Sequence, residues 1–124
     1  MPMVLVVDDS PLMRQALRLC LEAEGFRTAE ADDGLRGLEL LEREGGDVDL
    51  CLVDVNMPGL DGLGMVAEAR RRGFLRPMVM LTTETSRALR DRGRAAGATA
   101  WLTKPVEPPD LVETIRHLLG SARS

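Results

Sequence analysis

The chain has 124 residues and a net charge of −4, with two phenylalanines, one tryptophan and no tyrosine. That is the length of one domain with room for a real core, which has to be built from Leu, Val, Met and Ala. No apolar run is long enough to cross a bilayer, and the acidic balance argues against nucleic acid as the main partner.

The first apolar run, Met3 to Val7, ends on Asp8 and Asp9. It lacks the basic start of a signal peptide, so a cytoplasmic protein is expected. Ser10 and Pro11 supply a capping hydroxyl and a first-turn proline for a helix. Met13, Ala16, Leu17, Cys20 and Glu24 share a face of it, and Gly25 stops it. Arg27 to Ala31 is short and less apolar, which suits a strand near a sheet edge. Asp32, Asp33 and Gly34 turn the chain into a second helix carrying Leu35, Leu38 and Leu41. Gly45 and Gly46 end that helix.

Leu50-Cys51-Leu52-Val53-Asp54 follows, an apolar run that stops on a carboxylate and turns through Asn56, Met57, Pro58 and Gly59. Such a run reads as a strand buried on both faces of a parallel sheet. An unpaired charge is costly inside that core. Asp54 is therefore placed just past the strand's carboxyl end, where open α/β sheets bind ligands. Asp61 then caps a helix burying Leu63, Val66 and Ala67, and Arg70, Arg71 and Arg72 suit its C-terminus. Met78 to Leu81 is the fourth apolar run, ending on Thr82 and Thr83. The helix expected over Ser86 to Ala96 is weakly patterned. Leu89 is its only large apolar residue, Gly93 interrupts it, and Arg87, Arg90, Arg92 and Arg94 dominate it. Thr99 to Leu102 is a short strand before Lys104-Pro105. Pro108 and Pro109 fit only the first turn of the last helix, whose apolar face is Leu111, Val112, Ile115, Leu118 and Leu119. Residues 1–120 form one domain, and residues 121–124 read as a frayed tail.

Strand and helix alternate five times, which implies a parallel sheet with right-handed crossovers and helices on both faces. Four strands finish on polar residues of reactive type: Asp8 and Asp9, Asp54, Thr82, and Lys104. All are expected at one edge of the sheet. Three close carboxylates repel one another unless a cation joins them, and all-oxygen ligation suits Mg²⁺. A lysine and a threonine hydroxyl beside them suit a phosphoryl group, and a carboxylate is itself a competent nucleophile. Cys20 and Cys51 read as buried free thiols. Met57, Met65, Met78 and Met80 read as core, and His117 as a surface or partly packed residue.

The ordered set Asp8-Asp9, Asp54, Thr82 and Lys104-Pro105 resembles the receiver domain of bacterial response regulators of the stand-alone type. A domain cut from a longer regulator fits equally. The resemblance covers the whole chain and implies a flavodoxin-like fold with strand order 2-1-3-4-5. It implies that Asp54 accepts phosphate from the phosphohistidine of a sensor histidine kinase or a phosphotransfer protein, the chain being a phosphoacceptor rather than an enzyme. It further implies Mg²⁺ ligation by Asp9, Asp54 and the Asn56 backbone carbonyl, with Asp8 acting through water. Lys104 would pair with the phosphoryl oxygens, and its bond to Pro105 would be cis. Thr82 and Trp101 would be switch residues, acting on the surface of the fourth helix, fifth strand and fifth helix to control an unidentified downstream protein. Asn56, Thr83 and Glu84 would tune the phosphoryl lifetime, Asn56 and Glu84 standing as in members that lose phosphate quickly. The chain departs from the family at Thr83, where Ala or Gly is usual, at Trp101 for Tyr or Phe, and at Val106 for Phe. A monomer or weak dimer is expected, without direct nucleic-acid or membrane binding.

Two other readings compete. One is a receiver-like interaction module that works without phosphorylation, which the intact acid set argues against. The other is a flavodoxin-like FMN protein. It would need a Ser/Thr/Gly-rich turn after the first strand, where this chain has Asp8-Asp9-Ser10-Pro11.

Overall fold

Along the strands the side chains alternate between two apolar layers. Leu5, Val7, Cys51, Val53, Met78 and Met80 face one, while Val4, Val6, Leu50, Leu52, Val79 and Leu81 face the other. This is the period-two geometry of a strand, here with both faces covered. That is why the sequence shows continuous apolar runs rather than alternation. The computed structural model describes residues 1–84 and 86–123. The side chains of 121–123 are not described, so the tail expected at 121–124 lies outside the residues described in full.

The element order is β1 (Met3–Val7), α1 (Pro11–Ala23), β2 (Arg27–Ala31), α2 (Gly34–Glu44), β3 (Leu50–Asp54), α3 (Gly62–Arg71), β4 (Met78–Thr82), α4 (Arg87–Ala96), β5 (Ala100–Thr103) and α5 (Pro108–Arg123). All strand pairs are parallel, in the order β2-β1-β3-β4-β5. The fold is flavodoxin-like, as expected, with the less apolar β2 at one edge and the short β5 at the other. Helices α1 and α5 cover one face through Leu17, Leu21, Leu111, Ile115 and Leu119. Helices α2, α3 and α4 cover the other through Leu38, Leu63, Met65, Val66 and Leu89.

Four helices start on side-chain caps. Ser10, Asp33, Asp61 and Ser86 accept backbone N–H groups of Met13, Arg36, Gly64 and Leu89. Each cap satisfies a donor that the first turn leaves free.

Helix faces were less accurately read than strands. In α1 the buried residues are Leu17 and Leu21, and Ala16 is exposed. In α2 Leu35 points to solvent and Leu38 is the buried leucine. In α3 Met65 and Ala69 are buried and Ala67 is exposed. Alanine carries too little apolar area to fix a face, so longer side chains decide the rotation. Gly93 does not interrupt α4, which runs through it. Strand β5 begins and ends one residue later than expected. The methionines read as core are buried, as is Cys51, whereas Cys20 is half-buried and His117 exposed. Burial pushes the Cys51 thiol up to about 12, so it is an inert core group.

Candidate functional site

The ladders continue one residue past several strand ends, and these extra bonds set the site. The Asp8 N–H donates to the Ala31 carbonyl at 3.1 Å, Val55 to Leu81 at 3.0 Å, and Lys104 to Thr82 at 2.8 Å. Asp8, Asp54 and Lys104 are thereby fixed to backbone at the carboxyl edge of the sheet. Gly62 seats α3 directly against the back of this edge. A methyl group built on it would lie 2.8 Å from Val55 Cα and 2.9 Å from the Asp54 carbonyl carbon. No side chain fits there without displacing Asp54.

Asp8, Asp9 and Asp54 bring carboxylate oxygens within 4.8 Å of one another. Asp8 and Asp54 are buried, Asp9 is exposed. The Lys104 ammonium lies 3.0 Å from Asp54 Oδ1 and 3.6 Å from Asp8 Oδ2. Asp8 Oδ1 accepts the Ser10 N–H at 2.9 Å, and Arg14 donates to the Asp8 carbonyl at 2.6 Å. Asp8 Oδ2 is buried without a hydrogen-bond partner. Burial raises the Asp54 pKa from its ordinary value, and the charge of Asp8 adds to this. The Lys104 hydrogen bond and charge and the Asn56 amide oppose it.

One lysine does not neutralise three carboxylates, and a buried oxygen without a hydrogen bond is costly. The donor set is all oxygen and suits a hard cation. The residues therefore fit a metal site built on Asp8, Asp9 and Asp54.

Thr82 is buried, and its hydroxyl oxygen accepts the Glu84 N–H at 2.9 Å. Thr83, Glu84 and Asn56 are exposed around the cluster. Trp101 is half-buried, in register with Met80 on β4 and with its ring close to Gly93 of α4. The Lys104–Pro105 bond is cis. Gly62 was missed as a site residue because nothing local in the sequence marks a glycine that backs a strand end.

The Response regulator receiver domain family matches residues 4–116. The chain is a receiver domain. It is 34% identical over 116 residues to the sensor histidine kinase CheAY of Helicobacter pylori, covering 92% of this chain and 14% of that protein. It is 35% identical over 123 residues to the transcriptional regulatory protein ResD of Bacillus subtilis, covering 96% of this chain and 48% of that one. The chain thus spans half or less of these relatives. The solved structure of chemotaxis protein CheY4 of Vibrio cholerae superimposes with a TM-score of 0.90 at 37% identity, covering 95% of this chain and 98% of that one. As a receiver domain the chain is a phosphoacceptor rather than an enzyme with a separate substrate, and its acid group is typical of a receiver metal site. Among the described residues no helix is long and apolar enough to cross a membrane.

Proposed function

We propose that Asp54 accepts a phosphoryl group from a phosphohistidine of a sensor histidine kinase or phosphotransfer protein in the cytoplasm. The observation that carries this is the Lys104 ammonium 3.0 Å from Asp54 Oδ1, within a carboxylate group in which the buried Asp8 Oδ2 has no hydrogen bond. Asp54 needs no general base, because a carboxylate oxygen attacks phosphorus directly as the phosphorus–nitrogen bond to the donor imidazole breaks. Lys104 then moves its contact from Asp54 to the phosphoryl oxygens. Asp9, Asp54 and the Asn56 carbonyl would hold Mg²⁺, with Asp8 acting through water. Bound there, the ion offsets the charge of acids and phosphoryl group.

In the switch proposed for Thr82, its hydroxyl oxygen accepts the Glu84 N–H while its proton is the donor to a phosphoryl oxygen. Trp101 follows by changing its place under α4, and the altered face of α4, β5 and α5 controls a downstream protein. The exposed Asn56 and Glu84 leave the acyl phosphate open to water, so the phosphorylated state is short-lived. Thr83 narrows that access.

The test adds Mg²⁺ and then acetyl phosphate or beryllofluoride to purified protein, following Trp101 fluorescence and intact mass, with Asp54→Asn as control. One phosphoryl group on Asp54 and a Mg²⁺-dependent fluorescence change, both lost in the variant, are expected. Phosphate on Asp54 with silent fluorescence would reject the switch. Neither phosphate nor metal binding would favour an interaction module independent of phosphate. A phosphoryl half-life of many hours would overturn the short-lived state.

A further inference from the structure

Asp9 is the least anchored member of the carboxylate group. Asp8 and Asp54 are buried, and each has one carboxylate oxygen held by a hydrogen bond, from the Ser10 N–H and from Lys104. Asp9 is exposed, and neither its N–H nor its carboxylate has a hydrogen bond or ion pair among the described residues. Its carboxylate still lies within 4.8 Å of the other two. Its direction is therefore set by the peptide units on either side, because each planar unit carries the next Cα as a rigid body.

The unit after Asp9 is held through the Ser10 N–H, which donates to Asp8 Oδ1. The bond from the Asp8 N–H to Ala31 fixes the unit before Asp8. Between them, the Asp8–Asp9 unit has one holder among the described residues. The Arg14 guanidinium donates to its carbonyl oxygen at 2.6 Å. Arg14 is half-buried near the start of α1, and its own N–H is tied to the Ser10 carbonyl at 3.0 Å. Its Nε lies 3.5 Å from Glu30 of β2, and Glu30 also takes Arg18, one turn along α1, at 3.4 Å. The planar guanidinium presents several donors in a fixed fork. One edge can thus face Glu30 while another reaches the carbonyl.

The charge of Arg14 works against a metal site. A guanidinium beside the acids repels an incoming cation, so on charge alone its removal tightens metal binding. What Arg14 contributes to the site is the bond to the backbone.

We propose that Arg14, oriented by Glu30, is a positioning residue of the metal site. It holds the Asp8–Asp9 peptide so that the Asp9 carboxylate is aimed at a divalent cation before one arrives. This rests on the ligation of Mg²⁺ by Asp9 proposed above. Groups that orient metal ligands are commonly worth about tenfold or more in affinity.

The test reads metal affinity alone, with no phosphodonor present. Mn²⁺, which suits the same oxygen ligands, is titrated into the purified chain by electron paramagnetic resonance and displaced with Mg²⁺. Thermal unfolding without metal checks that each variant folds. Arg14→Met keeps the apolar stem and loses the bond, and is expected to weaken both ions by about tenfold. Arg18→Met removes an equal charge from the same Glu30 without touching the Asp8 backbone, and is expected to leave affinity unchanged or slightly tighter. Arg14→Lys keeps the charge but lacks the fork, and is expected to fall between wild type and Arg14→Met. Affinity in Arg14→Met equal to or tighter than wild type would overturn the proposal, as would equal weakening by Arg18→Met. If Arg14→Met does not fold, Arg14→Lys decides, and wild-type affinity there overturns the proposal. A wild-type chain that binds neither ion overturns the metal reading and this inference with it, whereas wild-type binding that Arg14→Met leaves intact overturns this inference alone.

Discussion

Helices α3 and α4 lie side by side on the same face of the sheet, each ten residues long and rich in arginine. They are held very differently. Helix α3 buries Leu63, Met65, Val66 and Ala69, and its arginines are tied to Glu68 or to backbone carbonyls. Helix α4 buries Leu89 as its only large side chain, and its arginines stand free among the described residues. Burying a large apolar side chain contributes about 1.5–3 kcal/mol, so three such residues against one decide which helix is fixed. The same length thus makes a wall in one case and a presented surface in the other. The wall also begins at Gly62, against the backbone of Asp54.

The comparison breaks most visibly in the core. Met65→Ala should cost about 2–5 kcal/mol in urea unfolding, since Met65 is fully buried and its truncation opens a cavity. Leu89→Ala should fall at the low end of that range. Its main effect should be faster hydrogen exchange confined to α4. Equal effects from the two changes would mean that α4 is held as firmly as α3.

Two glycine substitutions sharpen the contrast. Gly62→Ala meets backbone atoms of Asp54 and Val55, which cannot yield. It should cost about 1–3 kcal/mol and depress phosphate uptake measured by intact mass. On α4, a methyl group built on Gly93 would overlap the Trp101 ring, lying 2.7 Å from Cζ3 and 3.1 Å from Cζ2. A ring can rotate away, and alanine favours helix over glycine. Gly93→Ala should therefore leave stability nearly unchanged but shift Trp101 emission to the red and increase its quenching by acrylamide. An unmoved Trp101 spectrum would show that the notch does not position the ring.

Arginine substitutions should follow the same division. Arg70 donates to the carbonyls of Phe74, Arg76 and Gly97. Arg70→Ala leaves these acceptors short of partners and should cost about 1–3 kcal/mol by thermal unfolding. Arg90→Ala, with no partner to lose, should stay within about 0.5 kcal/mol.

The smallest effect concerns Glu68, which hydrogen bonds from Arg71 and Arg72 hold at about 2, below its ordinary 4.5. A lowered carboxylate pKa stabilises the fold above the ordinary value and loses that contribution as pH falls towards 2. The group is exposed and screened, so Glu68→Gln should barely move the melting temperature at neutral pH. What difference there is should vanish between pH 4.5 and 2.

The strands were legible because burial on both faces leaves an unbroken apolar run, which local sequence displays directly. Met3–Val7 and Leu50–Asp54 appear where the runs predict them. The convergence of Asp8, Asp54, Thr82 and Lys104 followed from the parallel topology alone. Contacts between distant segments were not legible. Gly93 read as a helix breaker because its partner, Trp101, lies eight residues away on a strand. Arg70 read as a favourable charge at a helix end, while the carbonyls it binds belong to two loops. Asp8 and Asp9 are equivalent in sequence, yet only Asp8 is buried, because its N–H continues the pairing with β2.

The Arg70 bond to the Gly97 carbonyl, at 3.0 Å, has a mechanical meaning. It pins the C-terminal end of α4 to the loops beneath the sheet, while the N-terminal end rests on the Ser86 cap. A helix pinned at one end is a lever. Ten residues make an arm of roughly 15 Å, so a tilt of about ten degrees carries the far end through roughly 2.6 Å while Gly97 stays in place. Any tilt of α4 about that pin would therefore be largest at Arg87, where the chain arrives from β4, and smallest at Gly97.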